Sequence, residues 1–318
     1  MRAPRPAART HGKPATREAA FIAIIGRMNI TTTPLHPLFA AELHGIDLSK
    51  PVSDVEVREF QDAMNRHAVG VIRHASAFTD AQHVNFTRRL GPLQKMKMLT
   101  MVGNSKSRLA FPELIDVGNI DNDGGLLPDD DRRRAYARGN LLWHTDVSFD
   151  ANRATLSLLA AHLIPPEGAD TEFADMRAAW DDLPEAMKQR IAPLQVEHSI
   201  WYSRALAGMS DVSDAEKATR PASRHALVHV HPGSGRKVLY LAAHASHIVG
   251  WPLDEGRALL AELTAHATQQ RYVYRHKWQL HDLLVWDNLA TMHRATPFDD
   301  TRYPRDMRRT TVLEHAED

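Results

Sequence analysis

The chain has 318 residues, of which 43% are hydrophobic and 25% are charged, values that are typical of a globular protein with a large core. Its 39 basic and 39 acidic residues cancel, so the overall charge gives no argument for nucleic acid or an anionic membrane as a partner. Cysteine is absent, which excludes disulfides, thiolate catalysis and iron–sulfur clusters and leaves histidine and carboxylate as metal ligands.

The N-terminal segment over residues 1–27 contains five arginines, one lysine and a single acid. We expect a disordered extension there, or a start placed upstream of the true first residue Met28, and one domain over residues 28–318. A transit-like or twin-arginine-like signal is the less favoured interpretation. No apolar run approaches the roughly 20 residues that span a bilayer, so we expect a cytoplasmic protein.

Two capping-box patterns predict helices in the first third of the chain. Ser53 precedes Glu56 by three residues, and Thr79 precedes Gln82 in the same way. Apolar residues recur at helical spacing after each pair. Between the two helices, VGVI at 69–72 predicts a buried strand, so a helix–strand–helix order is expected.

The rest of the chain favours strands. Residues 121–134 predict a polar loop whose charged triplets are solvated, and residues 154–163 are compatible with a strand or a short helix. Residues 226–242 alternate around a Pro-Gly-Ser-Gly turn and predict a hairpin. Helices are predicted in DMRAAWDDL and DEGRALLAELTAHATQQ, and later strands in RYVYRHKW, LLVWDN and RRTTVL. This pattern predicts a mainly β domain, a sandwich or barrel with helices outside.

A candidate metal site lies in LLWHTDVSFD, where His144 stands two residues before Asp146. On a strand, residues i and i+2 point to one face, so an imidazole and a carboxylate would meet at one point. His293 in LATMHRAT would complete the 2-His-1-carboxylate set that binds Fe(II) and leaves positions open. Two ordinary polar residues at a strand end would look the same. The other pattern of this type, His315 with Glu317, has no histidine after it and is set aside.

Two further groups of histidines are rival metal sites. They are His225, His229 and His231 in RHALVHVH, and His244 and His247 in AHASH. Neither group includes a convenient carboxylate. Core or surface histidines with ordinary hydrogen bonds are therefore the favoured interpretation.

Arginine is concentrated in RYPRDMRRTTV at 302–312. The segment is compatible with a basic surface or with recognition of carboxylates by guanidinium groups. Arg305 and Arg309 would share one face of a strand and would suit two carboxylate ligands near one metal. Nucleic acid is the least favoured partner, because the segment has one aromatic residue and the whole chain is neutral.

These residues together resemble a known family. The spacing of His144, Asp146, His293 and Arg305 is similar to that of Fe(II)/2-oxoglutarate dioxygenases of the taurine dioxygenase/TfdA (TauD/TfdA) family. LWHTDVSF, PPEGADTEFADMRAAWDDLP, GSGRKVLYLAAHASHIVG, LVWDN and MHRAT resemble most closely the branch that acts on 2,4-dichlorophenoxyacetate. The resemblance covers residues 34–314 and implies a double-stranded β-helix, a cupin-like jelly roll with flanking helices.

The resemblance also implies ligand roles. His144, Asp146 and His293 would be the catalytic residues that bind Fe(II). Thr171 and Arg305 would bind the distal carboxylate of 2-oxoglutarate. The remaining co-substrate would be O2, with ascorbate aiding the reaction in vitro.

The substrate-binding residues are implied by position in the family pattern. Arg309 would bind the carboxylate or sulfonate of the substrate, although its neighbour Arg308 competes for the assignment because the segment is one residue longer than in close relatives. Lys95 and Lys97 lie where relatives place residues that face the substrate, and a solvated loop is the alternative for both.

The implied activity is hydroxylation of an aryloxyalkanoate to give a phenol, glyoxylate, succinate and CO2. Alternatives within the family are a taurine or other sulfonate dioxygenase and a phenoxypropionate dioxygenase. Outside catalysis, the alternatives are a metal-binding sensor on the same fold and a basic interaction module built on residues 302–309. The partner is expected to be a small aromatic carboxylate, without nucleic acid or membrane, and the protein is expected to be a homo-oligomer.

Overall fold

The structure is a computed structural model that describes residues 29–95, 107–209 and 211–317. The predicted extension over residues 1–27 lies outside these ranges. The strands are β1 (Thr31–Pro34), β2 (Ala41–His44), β3 (Val69–Arg73), β4 (Ile115–Asp116), β5 (Ala154–Leu163), β6 (Thr171–Asp175), β7 (Gln195–His198), β8 (Ser223–Ala226), β9 (Val228–Val230), β10 (Lys237–Leu239), β11 (Ala245–Ile248), β12 (Val273–His276), β13 (Asp282–Asp287), β14 (Thr291–Ala295) and β15 (Asp306–Leu313). The α-helices are α1 (Asp54–His67), α2 (Asp80–Arg88), α3 (Arg132–Ala137), α4 (Met176–Asp181), α5 (Glu185–Ile191), α6 (Ile200–Leu206), α7 (Asp214–Ala218) and α8 (Leu253–Ala267).

Seven strands form the main sheet, in the order β1-β2-β3-β13-β5-β15-β4. Every neighbouring pair in it is antiparallel except β2 with β3, which run parallel. A second sheet of three strands has the order β12-β6-β14. The main sheet carries the arginine-rich strand β15, and the second sheet carries β14 with His293, so both sheets contribute to the candidate site.

The core that joins these sheets is made of large apolar side chains. Phe173 of β6 is fully buried and lies against Trp286 of β13, with ring centroids 5.6 Å apart. Met307 of β15 belongs to the same cluster. Because β6 and β15 belong to different sheets, the cluster packs one sheet against the other, as in a sandwich. The predicted jelly roll is confirmed.

The predicted capping boxes both exist. The Ser53 hydroxyl accepts the Glu56 N–H, and the Glu56 carboxylate accepts the Ser53 N–H, so the first turn of α1 is satisfied. Thr79 and Gln82 do the same for α2. The buried face of α1 then packs onto the main sheet through Phe60 and its neighbours, which fixes the helix against β13.

Other predicted elements are confirmed with two refinements. Residues 154–163 form strand β5, and the predicted hairpin is β9 paired with β10. The loop over 121–134 ends in α3, which starts at Arg132 after the Asp131 cap. The charged triplets were expected to be solvated, and this is wrong for Arg134, whose side chain is 9% exposed and pairs with Asp300 at 2.9 Å. Among the described residues, none of the helices combines the length and apolar character needed to cross a bilayer.

Candidate metal centre

His144 is held in place by β14. Its backbone N–H donates to the His293 carbonyl at 2.9 Å, and the His293 N–H donates back at 2.8 Å. This is a single bridge, so the His-Thr-Asp segment is not part of a regular strand. Between the two ligands, the Thr145 hydroxyl donates to the Leu241 carbonyl at 3.0 Å. A turn begins at Asp146, and the next residue, Val147, has a φ of 57°.

The bridge brings three donor groups together. The metal-binding atoms of His144, Asp146 and His293 all lie within 4.8 Å of one another, and the three residues are buried. The Nε2 atoms of His144 and His293 each lie 3.8 Å from an oxygen of Asp146. The Nδ1 atom of His144 donates to the Leu142 carbonyl at 2.8 Å, which fixes the tautomer that leaves Nε2 free to coordinate. Two imidazole nitrogens and one carboxylate fit a divalent iron-type ion.

Asp146 is oriented by a second layer of hydrogen bonds. The Ser157 hydroxyl donates to its Oδ2 atom at 2.8 Å, and the Asn288 amide donates to Ser157 at 3.0 Å. The Asn288 carbonyl oxygen accepts the Asp146 backbone N–H at 3.2 Å and the Trp286 indole N–H at 3.1 Å. Such partners hold a ligand in position before the metal arrives.

The local charges keep the three groups in their coordinating forms. Burial raises the pKa of Asp146, but the charge of Arg309, joined at low pH by protonated His293 and His144, outweighs burial and holds the pKa below its usual range. Arg309 donates to Asp146 Oδ1 at 2.6 Å. Burial lowers the pKa values of His144 and His293, so both rings are neutral near pH 7. Ionised carboxylate and neutral imidazole are the forms that bind a metal.

A cavity of about 450 Å³ opens beside His144 and Asp146. Its volume suits a small organic ligand. Arginine is the most frequent charged residue in its wall. The arginines that line it are Arg108, Arg133, Arg134, Arg138, Arg204, Arg305 and Arg309.

Arg305 is the predicted 2-oxoglutarate arginine. It is buried, its Nη1 donates to the Val117 carbonyl at 2.8 Å, and its Nε has no hydrogen-bond partner. No carboxylate in the described residues pairs with it, and burial lowers its pKa to about 10. A buried cation without an anion is unfavourable, so the cavity at Arg305 suits an anionic ligand.

Thr171 was predicted to bind the same carboxylate as Arg305, but unlike Arg305 it does not line the cavity. It is buried at the start of β6, and its hydroxyl accepts the Trp278 indole N–H at 3.2 Å. Its side chain lies outside the cavity wall, where Ala169 and Thr296 appear instead.

Arg308 and Arg309 point in opposite directions. Arg309 lines the cavity and contacts Asp146. Arg308 lies outside the cavity wall and bonds to Asp80 and Asp306, at 2.8 and 2.9 Å. Arg305 is also buried, so the interpretation of residues 302–312 as a basic surface is wrong for Arg305, Arg308 and Arg309, whereas Arg302 is exposed.

The other predicted substrate residues are not brought to the cavity. Lys95 is exposed and outside the wall, while its neighbour Gln94 is buried and lines it. Lys97 lies outside the described residues. The structure therefore gives no support to Lys95 as a substrate contact.

The rival histidines make ordinary hydrogen bonds. His229 contacts the Leu289 carbonyl at 2.9 Å, and His231 contacts Asp287 at 2.8 Å. In the described ranges, His144, Asp146 and His293 form the one cluster with metal-binding geometry. The preference for structural roles in the His225 to His231 group is consistent with these contacts.

His244 and Arg204 line the cavity and were missed as site residues. The sequence grouped His244 with His247, but the two side chains separate. His244 lies in the cavity wall with its ring 6.1 Å from that of His144, and His247 lies 3.9 Å from Glu197. His244 directly precedes β11, and residues three apart on a strand point to opposite faces, so a strand pattern here could have separated His244 from His247. Nothing in the local sequence marks Arg204.

The chain is similar to a known protein family and to individual members of it. The model of the family described as "Taurine catabolism dioxygenase TauD, TfdA family" matches residues 31–311. An alpha-ketoglutarate-dependent 2,4-dichlorophenoxyacetate dioxygenase of Cupriavidus pinatubonensis is 42% identical over 289 residues, covering 91% of this chain and 99% of that protein. An (S)-phenoxypropionate/alpha-ketoglutarate-dioxygenase of Sphingobium herbicidovorans is 32% identical over 277 residues, covering 85% and 90%.

Solved structures show the same relationship. AAD-2, crystallised with Mn(II) and N-oxalylglycine, is similar with a TM-score of 0.87 and 42% identity, covering 91% of this chain and 99% of that one. A taurine dioxygenase from Burkholderia xenovorans is similar with a TM-score of 0.70 and 28% identity, covering 90% and 91%. The similarity thus extends over nearly all of the fold.

Proposed function

Since this chain belongs to the TauD/TfdA family of dioxygenases, we propose that it is an Fe(II)- and 2-oxoglutarate-dependent dioxygenase that hydroxylates an aryloxyalkanoate such as 2,4-dichlorophenoxyacetate. The observation that carries the proposal is the buried His–Asp–His cluster beside a cavity lined by the buried guanidinium of Arg305 and the half-buried guanidinium of Arg309. The 42% identity to 2,4-dichlorophenoxyacetate dioxygenase over nearly the whole chain supports the substrate class.

The donor set fits Fe(II), so His144, Asp146 and His293 would hold it as the catalytic residues. When bound, the iron supplies the oxidative decarboxylation of 2-oxoglutarate to succinate and CO2, which uses one oxygen atom of O2 and allows the other to enter the substrate. The cavity geometry supplies the positions of the two organic ligands. Ser157 and Asn288 keep the aspartate aligned by their hydrogen bonds.

The arginines divide the anionic groups between them. Arg305 would bind the distal carboxylate of 2-oxoglutarate, which provides the missing anion at its buried guanidinium. Thr171 is proposed to assist from the start of β6, which requires its hydroxyl to exchange the Trp278 contact for the ligand. Arg309 holds Asp146 through Nη1 and keeps an unpartnered Nε, which leaves a donor for the substrate carboxylate.

The products follow from where the hydroxyl group enters. Hydroxylation of the carbon between the ether oxygen and the carboxylate of an aryloxyacetate gives a hemiacetal. The hemiacetal loses the aryloxy group as a phenol, and its hydroxyl carbon becomes the aldehyde of glyoxylate. Burial of the three metal ligands keeps bulk water away from this chemistry.

Two other activities share the iron site. A phenoxypropionate dioxygenase is supported by the 32% identity to the Sphingobium protein, and a sulfonate dioxygenase by the likeness to a taurine dioxygenase. A non-catalytic metal sensor is disfavoured, because Arg305 is buried without an anion and such a sensor has no need of a co-substrate carboxylate. The homo-oligomeric state and the cytoplasmic location stay predictions.

The test is turnover with a panel of acids. Protein with Fe(II) and 2-oxoglutarate is prepared without oxygen and then exposed to O2 with 2,4-dichlorophenoxyacetate, each phenoxypropionate enantiomer, cinnamate or taurine. Succinate and product are counted together. Succinate in step with a phenol supports the proposal, and coupled turnover of taurine alone moves the chain to the sulfonate branch. Iron-loaded protein that makes no succinate above the substrate-free background contradicts the proposed activity on this panel.

A further inference from the structure

Arg204 is a buried cation that the proposed mechanism leaves unused. It lies on the short helix α6, is 6% exposed, and its Nε has no hydrogen-bond partner. Within the described ranges it forms no ion pair and no hydrogen bond through its side chain. The guanidinium instead stacks on an aromatic ring, with its central carbon 4.0 Å from the centre of the Tyr136 ring. Stacking of this kind satisfies a flat face and leaves the N–H edges free.

The guanidinium is held at the cavity by its surroundings. Arg204 lines the same cavity as His144 and Asp146. A Cβ atom built on Gly139 would overlap the Nη1 atom, so the guanidinium occupies the space that a side chain would take there. Contact with the Tyr136 ring and the close approach of the Gly139 backbone restrict the group to one place. The guanidinium is therefore held in one position in the cavity wall, with the residue 6% exposed.

The charges in the cavity differ in how they are compensated. Arg309 is paired with Asp146 at 2.6 Å. Arg305 and Arg204 have no carboxylate partner among the described residues. An uncompensated buried guanidinium is costly unless a ligand supplies the anion. The proposed reaction has two anionic ligands, and Arg305 accounts for one of them.

We infer that Arg204 binds the carboxylate of the aryloxyalkanoate substrate, an assignment that rests on the proposed function. The planar guanidinium presents paired N–H donors that match the two oxygens of a carboxylate. Arg309 then acts on both the metal ligand and the substrate, whereas Arg204 acts on the substrate only. A change at Arg204 is expected to affect substrate binding without affecting the metal or 2-oxoglutarate.

The inference is tested by direct binding to the loaded protein. Wild-type protein with Mn(II) and N-oxalylglycine is titrated calorimetrically with phenoxyacetate and with phenoxyacetamide, its neutral analogue. The variants are Arg204→Met, Arg204→Lys and Gly139→Ala, and Arg138→Met is the matched control. Arg138 lines the same cavity but is exposed, so its removal changes the net charge equally. Gly139→Ala keeps the charge of Arg204 and moves it.

We expect the variants at Arg204 and Gly139 to weaken binding of the charged ligand alone. Arg204→Met raises the Kd for phenoxyacetate about 30-fold or more, as for loss of one partner of a buried charge pair. Arg204→Lys and Gly139→Ala raise it less, and Arg138→Met changes it less than about threefold, since exposed charges are screened. Phenoxyacetamide and N-oxalylglycine bind with unchanged affinity in all variants, which also shows that the cavity is folded.

Two results would overturn the inference in distinguishable ways. Equal binding of phenoxyacetate by wild type and Arg204→Met, with tight binding in both, removes Arg204 as an anchor and leaves the proposed function standing. Failure of the wild type itself to bind phenoxyacetate, with N-oxalylglycine still bound, overturns the proposed substrate class and the inference together. If Arg204→Met weakens the binding of phenoxyacetate and of phenoxyacetamide equally, the role of Arg204 is purely structural and the inference is also overturned.

Discussion

The two faces of β15 carry arginines in opposite states. On one face, which we call the closed face, Arg308 bonds to Asp80 and Asp306, and Asp306 also accepts a hydrogen bond at 2.6 Å from Arg108, whose side chain reaches the cavity wall as well. On the other, the open face, Arg309 and the preceding Arg305 line the cavity, and both have an Nε atom without a partner. Alternation along one strand separates the two sets.

The difference separates a structural use of charge from a ligand-binding one. On the closed face each guanidinium meets carboxylates from its own chain, so the charges cancel and the group contributes to the fold. On the open face the donors exceed the acceptors, so the site is complete when anionic ligands arrive. Counting partners therefore distinguishes the two uses where counting arginines does not.

The largest effect is expected at the metal ligands beside the open face. His144→Ala, Asp146→Ala or His293→Ala removes one of three donors, and we expect turnover to fall to background while the fold is kept. The loss exceeds the roughly 10- to 100-fold effect of removing a hydrogen-bonded neighbour of a ligand. Succinate release measures turnover, and circular dichroism checks the fold. A metal-occupied His144→Ala protein with full activity would show that the cluster is not the metal site.

The Arg305→Met variant tests whether the open face binds 2-oxoglutarate. Arg305→Met is expected to raise the apparent KM for 2-oxoglutarate by about 30-fold or more, since loss of one partner of a buried charge pair costs about 2–5 kcal/mol. The rate at saturating 2-oxoglutarate changes much less. The free energy of unfolding of the ligand-free variant is expected to be unchanged or higher, because an uncompensated buried cation is removed. A clear loss of stability with an unchanged KM would place Arg305 among the structural arginines.

The Ser157→Ala variant tests how much the position of Asp146 depends on the hydrogen bonds from Ser157 and Asn288. Ser157→Ala removes the 2.8 Å hydrogen bond to Asp146 and frees the Asn288 amide. Metal affinity, measured by competition with a chelator, is expected to fall about 10- to 100-fold. Ser246→Ala is a control, because Ser246 is a buried serine that contacts the Glu197 carbonyl instead. Equal metal affinity in Ser157→Ala and the control would show that Asp146 is positioned by Arg309 without help from Ser157.

Local patterns predicted the parts of the fold and site that depend on neighbours in sequence. The capping boxes at Ser53 and Thr79, and the shared direction of His144 and Asp146, each follow from a spacing of two or three residues. His293 was proposed as the third ligand because the metal set needs a second histidine, but its approach depends on a bridge between distant segments, which local spacing does not predict.

The sequence could not predict which arginines lack partners. Arg204 occupies an ordinary helical position, and its distinguishing feature is that Tyr136 and Gly139, from a separate segment, surround it without an acid. The state of Arg308 likewise depends on Asp80 from α2. Thr171 carries the family motif, yet its hydroxyl contacts Trp278 from beyond β12. Whether a buried arginine has a carboxylate partner depends on the tertiary structure, so rules based on sequence spacing do not predict it.

A substitution on the closed face is expected to have the smallest effect on ligand binding. It should still lower the free energy of unfolding measurably. Burial raises the pKa of Asp306, but hydrogen bonds from Arg108 and Arg308 outweigh burial and hold it at about 2. Its ordinary value is 3.8, so the folded state favours the ionised form. The resulting stabilisation is complete above about pH 4 and is lost as the pH falls through 2.

Arg308→Met removes one of the two guanidinium partners of Asp306 and the partner of Asp80. We expect the free energy of unfolding to fall by about 1–3 kcal/mol at pH 7, since two carboxylates lose a charged donor. The gap between the variant and the wild type should narrow as the pH falls from 4 toward 2, because protonation removes the charge that Arg308 compensates. Urea unfolding across this pH range measures it, with Arg58→Met, an exposed arginine on α1, as control. The KM for 2-oxoglutarate should stay within about twofold, and a large rise would show that the two faces of β15 are not independent.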